Sequence, residues 1–149
     1  MEVIEWNESY SVGVEELDEQ HKRLFKMINT LFEAPATGMG PQSLSYLLAD
    51  MREYASVHFS TEERYMSECA YPDTANHIRA HQYYRNQVNA LCARNVTDKS
   101  QLPADMLRFL YEWLAEHILS CDKRYAPFLA RDRSTGQLSG STSTPLRRR

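Results

Sequence analysis

Apolar residues recur along most of this chain with the period of an α-helix. Leu17, His21, Leu24, Phe25, Ile28, Leu31 and Phe32 fall three or four apart, the stripe of an amphipathic helix. It ends before Ala34-Pro35-Ala36-Thr37-Gly38-Met39-Gly40-Pro41, a stretch dense in helix breakers. A second stripe runs through Leu44, Leu47, Leu48, Met51, Ala55, His58, Phe59, Glu62, Tyr65 and Met66. After Tyr71-Pro72-Asp73 a third carries His77, His81, Tyr84, Val88, Leu91 and Cys92, with Asp73 suited to cap it. Asn95 to Pro103 is polar and loop-like. The fourth holds Leu107, Leu110, Leu114, His117, Ile118, Cys121 and Tyr125, and Pro127 should bend or end it. Residues 1–16 carry Val3, Ile4, Trp6, Tyr10, Val12 and Val14 without helical period and read as an extended arm anchored by Trp6.

Four amphipathic helices with short connections predict an all-α fold, an antiparallel up-down-up-down four-helix bundle with an extended N-terminal arm. Residues 1–130 form the bundle domain, of which 1–16 is the arm. Residues 131–149, rich in Ser, Thr, Gly and Arg, read as a flexible tail.

The polar residues inside the stripes change the picture. All five histidines of the chain, His21, His58, His77, His81 and His117, fall on the inward faces. His58 with Glu62, and His77 with His81, are i, i+4 pairs on one helix face. With alternating helix direction, early positions of helices one and three meet late positions of helices two and four. His21, His58, Glu62, His77, His81, His117 and Asp122 therefore converge at one end of the bundle. Five imidazoles and two carboxylates buried together are costly unless a cation compensates them. Their number exceeds what one first-row ion accepts and suggests two metals, and a donor set without thiolate suits iron, manganese or zinc. His117 and Asp122 are i, i+5, about 140° apart on a regular helix. Asp122 must therefore reach across, or the helix must widen there as in a π-bulge.

Composition narrows the remaining classes. The length of 149 residues suits one domain. No apolar run is long enough to cross a bilayer, and the acidic start lacks the features of a secretory signal, so no membrane insertion and a cytoplasmic location are expected. Residues 131–149 hold five Arg and one Asp, leaving 12 basic and 19 acidic side chains in residues 1–130. That acidic body argues against nucleic acid as a partner. Cys69, Cys92 and Cys121 form no CxxC pair and read as free thiols in a reducing compartment, Cys121 as a small buried hydrophobe. Glu63 and Glu116 point off the inward face and read as solvated residues. Tyr65, Tyr84 and Tyr125 lie on the inward stripes, where they could bond to the ligands or simply pack.

The set His21, His58-x-x-x-Glu62, His77-x-x-x-His81 and His117-x-x-x-x-Asp122 resembles the hemerythrin family in its bacterial branch. Asp18-Glu19-Gln20-His21, His58-Phe59, Trp113-Leu114 and His117-Ile118 agree with it over roughly residues 3–130. The resemblance implies two iron ions in a non-haem centre with an oxo or hydroxo bridge. His77, His81 and His117 would hold one iron, His21 and His58 the other with a position open, and Glu62 and Asp122 would bridge. Phe59, Trp113, Leu114 and Ile118 match the family's apolar oxygen pocket. The implied activity is reversible binding of dioxygen for carriage, storage or delivery, with no catalytic residues. Alternatives are an oxygen or redox sensor acting through a partner, or a redox enzyme acting on nitric oxide or peroxide. The ferritin-like pattern of four glutamates with paired Glu-x-x-His is missing.

Overall fold

The computed structural model describes residues 2–35, 38–97 and 99–139. Helix α1 spans Glu15–Phe32, α2 Pro41–Glu68, α3 Thr74–Thr97 and α4 Leu102–Trp113. A π-helical segment, Leu114–Asp122, continues α4 without a break and passes into α5, Lys123–Ser139. No strand occurs among the described residues. Helix α1 packs on α2 and α4, and α3 packs on α2 and α4, so four rods close into an antiparallel bundle. No helix among the described residues is long and apolar enough to cross a membrane.

Local chemistry sets the boundaries. Prolines open α2 and α4, where the first helical turn has backbone N–H groups to spare. Helix α1 has no side-chain cap at Val14, but Asp18 in its first turn ties down the arm. Its Oδ1 accepts from the Val12 amide at 2.9 Å and its Oδ2 from the Ser11 hydroxyl at 2.5 Å. Between those residues and α1 the chain turns at Gly13 with φ of 79°. The arm lies on the bundle as expected, though Glu8–Tyr10 forms a single 3-10 turn. Trp6 rests on Phe25 with ring centroids 5.5 Å apart, and Asn29 bonds both the amide and the carbonyl of Ile4 at 2.8 Å.

Of the bend or end expected at Pro127, the end does not occur: α5 runs through it to Ser139. A proline here forfeits one helical hydrogen bond. Tyr125 and Leu129, buried on either side of it, fasten the helix to the body. The segment read as a flexible tail from Arg131 thus begins inside α5, and residues 140–149 lie outside the described residues. So do Ala36 and Thr37 of the first loop. Helix α3 also continues past Asn95, which had read as loop, to Thr97.

Two apolar clusters fill the bundle. The larger joins Leu24, Ile28, Leu48, Met51, Phe59, Leu110, Ile118 and their neighbours. The smaller contains Val12, Val14, Leu17, Met66, Tyr71, Tyr125 and Leu129. Fully buried polar side chains from all four rods stand at the end where the smaller cluster closes the bundle, and every one of them is a histidine or a carboxylate.

Candidate metal centre

Each rod delivers its polar side chains to the same level. His21 comes from the second turn of α1, His58 and Glu62 from the second half of α2, His77 and His81 from the start of α3. His117 and Asp122 come from the π-helical segment. The widening anticipated from their i, i+5 spacing is present over nine residues. A π register places residues five apart on one side, which lets both side chains of this pair face inward. All seven are at most 5% exposed.

The carboxylates divide the imidazoles into two groups. Glu62 Oε1 contacts His77 Nε2 and lies 3.0 Å from His81 Nε2 and 3.7 Å from His117 Nε2. Its other oxygen, Oε2, lies 2.9 Å from His58 Nε2 and 4.0 Å from His21 Nε2. Asp122 repeats the division. Its Oδ1 is 3.1 Å from His77 Nε2 and 3.0 Å from His117 Nε2, while Oδ2 is 3.0 Å from His21 Nε2. Donor atoms of Glu62, His77, His81 and His117 lie within 4.8 Å of one another, and so do those of His21, His58, Glu62 and Asp122.

Residues outside this shell orient the rings. His58 Nδ1 donates to Gln20 Oε1 at 2.7 Å, and Gln20 is itself fixed by its amide to Thr61 Oγ1 at 3.2 Å. His81 Nδ1 donates to Glu63 Oε1 at 2.8 Å. A proton on Nδ1 leaves a lone pair on Nε2, so both rings present an acceptor nitrogen inward, the form that binds a metal. Tyr125 Oη donates to Glu62 Oε2 at 3.1 Å. Aromatic rings cover three imidazoles: Phe59 lies parallel to His81 at 3.9 Å, Trp113 to His117 at 4.0 Å and Tyr54 to His58 at 5.1 Å.

The electrostatics call for positive charge at the centre. Burial pushes His58 down despite the Glu62 carboxylate. Burial acts downward on His77 too, but the hydrogen bonds it donates to Asp122 and Glu62 outweigh it and hold His77 at about 9. His117 is held well above its ordinary value against burial, chiefly by the Asp122 charge. Burial would raise Glu62 and Asp122, yet the imidazoles drive both below the usual carboxylate range. Protons on histidines can therefore balance the two anions, and a cation would take the place of those protons. The unpaired atoms point the same way. Among the described residues, His21 Nδ1, His117 Nε2, Asp122 Oδ1 and Asp122 Oδ2 are buried without an aligned hydrogen-bond partner. Such atoms are costly unless something else meets them. Imidazole and carboxylate donors at this spacing fit divalent iron.

The structure brings together all seven residues expected at the site. Phe59, Trp113, Leu114 and Ile118 are also gathered, buried in the larger cluster next to the imidazoles. Other expectations need correction. Glu63 is no solvated bystander: its side chain is 28% exposed and holds His81. Cys121 is half-buried rather than a core hydrophobe, near His117 and 3.7 Å from the Arg124 guanidinium. Tyr84 and Tyr65 do not reach the centre: they donate to Met51 O and Glu16 Oε2. Gln20 and Tyr54 were not singled out, since Gln20 lies beside the apolar stripe and Tyr54 four residues before His58 reads as packing.

Tyr54 has one further property. Burial, followed by nearby Tyr84, Asp122 and Glu62, raises its pKa well above the ordinary phenol value, with the Trp113 indole opposing. The phenol is therefore protonated, yet neither Tyr54 Oη nor Trp113 Nε1 has an aligned partner.

Comparison with known proteins agrees with this geometry. Residues 12–129 match the family model described as the hemerythrin HHE cation binding domain. A bacteriohemerythrin of Methylococcus capsulatus is 30% identical over 131 residues, covering 87% of this chain and 99% of the relative. A myohemerythrin of Theromyzon tessulatum is 30% identical over 124 residues, covering 83% and 92%. A crystal structure of wild-type hemerythrin superposes with a TM-score of 0.76 at 28% identity, covering 87% of this chain and 99% of that one.

Proposed function

The chain belongs to the hemerythrin family, and from that premise we propose that it binds dioxygen reversibly at a pair of iron ions. His77, His81 and His117 would hold one ion, His21 and His58 the other, with Glu62 and Asp122 shared between them. One observation carries this reading: each carboxylate turns one oxygen towards the three-histidine group and the other towards the two-histidine group. A carboxylate serving a single ion would not need to be divided in this way. Two imidazoles leave one donor fewer than three, and that difference is the space for an exogenous ligand. Bound there, the iron pair would supply the electrons with which dioxygen is held and given back.

The chain's own residues supply the rest. Gln20 and Glu63 fix the rings of His58 and His81 with Nε2 inward. Phe59, Trp113, Leu114 and Ile118, none more than 5% exposed, keep water and acids away from the open side. A dry apolar wall slows the proton-assisted loss of reduced oxygen, which favours release of intact dioxygen over oxidation. Binding rather than turnover is therefore the role we assign, in carriage, storage or delivery of oxygen. Metal analysis with oxygen uptake tests it. Two irons per chain, and uptake of one dioxygen per pair that reverses on evacuation, support the reading; a single iron, or uptake that does not reverse, contradicts it.

A further inference from the structure

The three largest fully buried side chains are all tyrosines, and two of them have partners. Tyr84 donates its proton to Met51 O at 3.1 Å, and Tyr125 donates to Glu62 Oε2 at 3.1 Å. Tyr54, 1% exposed, donates to nothing. A phenylalanine would fill the same volume without leaving a polar atom unpaired, so the hydroxyl is unfavourable for the isolated fold. The Trp113 indole, 5% exposed, belongs to the same aromatic layer, and its N–H is directed at the Tyr54 oxygen, so that oxygen has a donor nearby while its own proton has no acceptor among the described residues. Phe59 joins the two, with ring centroids 6.1 Å from Tyr54 and 5.7 Å from Trp113.

The place of this layer gives the unpaired proton a purpose. Tyr54 sits one helical turn before His58 and lies against it at 5.1 Å with the rings 16° from parallel. His58 belongs with His21 to the half of the cluster that has two imidazoles rather than three. A buried O–H proton without an acceptor therefore stands beside the half that has one imidazole fewer. We infer that Tyr54 is a hydrogen-bond donor to the small exogenous ligand entering on the His21–His58 side, with the Trp113 indole beside it. The ligand class is a small molecule or anion with a terminal acceptor atom, such as dioxygen, peroxide, nitric oxide or azide. This rests on the di-iron reading above. It adds a polar contact to a pocket whose other walls are apolar, so the pocket holds its ligand by direction as well as by exclusion of water.

The test is azide titration of the oxidised, iron-loaded protein, followed by its visible absorption, in the wild type, Tyr54→Phe and Tyr84→Phe. Tyr54→Phe should take up iron like the wild type and raise the azide dissociation constant about tenfold, the loss of one hydrogen bond to a charged acceptor. Tyr84→Phe should leave azide affinity unchanged. Thermal melting of the metal-free proteins should show the reverse order. Tyr54→Phe melts no lower than the wild type, because its hydroxyl donates no internal bond, while Tyr84→Phe melts lower. Equal azide affinity in Tyr54→Phe and wild type, with iron fully loaded, overturns the inference and leaves the di-iron reading intact. So does a lower melting temperature of metal-free Tyr54→Phe with azide binding unaffected, which would assign the hydroxyl to an internal water. A wild type that takes up no iron and shows no azide-dependent band overturns both.

Discussion

The two halves of the polar cluster share two carboxylates and differ in almost everything else. On one side, three imidazoles crowd around Glu62 Oε1 and Asp122 Oδ1, with Phe59 and Trp113 stacked against His81 and His117. On the other, His21 and His58 face Asp122 Oδ2 and Glu62 Oε2, and a phenol whose proton has no acceptor among the described residues lies alongside. The first half holds three imidazoles; the second holds two and is bordered by a phenol proton without an acceptor among the described residues. On the di-iron reading proposed above, the same residue types would build a holding site and a receiving site, distinguished by a single imidazole and by what lines the wall.

Mutations at the shared residues should have the largest effect, since they act on both halves. Glu62→Ala removes one oxygen from each group and should abolish iron binding altogether, as read by metal analysis of the purified protein. Retention of one full equivalent would mean that the carboxylate serves only one half. His77→Ala should be milder, costing the three-histidine half its ion while part of the iron content survives. Normal loading in that variant would break the assignment of His77. Smaller still are losses at residues that only orient the rings. Glu63→Ala and Gln20→Ala should each weaken metal affinity by about 10- to 100-fold in a chelator competition. The effect of Glu63→Ala should fall on the ion of the three-histidine half and that of Gln20→Ala on the other. Loss of the same ion in both would erase the distinction between the halves.

The smallest effect is expected from pH in the metal-free chain. His77 is raised in the folded protein to about 9, above the ordinary histidine value near 6.5. Its protonated form therefore stabilises the fold fully below pH about 6.5, and that contribution is lost as pH rises through about 9. Glu62 and Asp122 are depressed, so their contribution is present above the ordinary carboxylate range and lost on acidification. The metal-free melting temperature should peak between those limits and fall towards pH 9. Iron should flatten the alkaline side of the profile, because the ion replaces the protons on His77 and His117. A metal-free profile that is flat from pH 6.5 to 9 would show that protons do not stand in for the cation.

Much of this was readable from the chain. Helical period placed the four rods, and alternation of direction brought His21, Glu62, His77 and Asp122 to one end without any contact being known. The awkward i, i+5 spacing of His117 and Asp122 announced a local widening, and the helix does widen there. Other features were hidden for definite reasons. Gln20 and Glu63 lie off the apolar stripes, and nothing in periodicity tells a solvated carboxylate from one that holds an imidazole. Pro127 argued for a bend or an end from backbone chemistry alone, but burial of Tyr125 and Leu129 depends on tertiary packing and carries the helix through it. Tyr54, Tyr84 and Tyr125 look alike in sequence. Only the positions of their hydroxyls separate a bond donated to Met51, a bond donated to Glu62 and a proton without an acceptor among the described residues.

The most direct test of a receiving half beside a holding half is the visible absorption spectrum of the iron-loaded protein through one oxygen cycle. The protein is reduced without air, exposed to air, and then freed of oxygen again. The account predicts a charge-transfer band that is absent at first, appears with air and disappears on deoxygenation, with the reduced spectrum regained. A band that forms once and then remains, or no band in a protein carrying two irons, would contradict it.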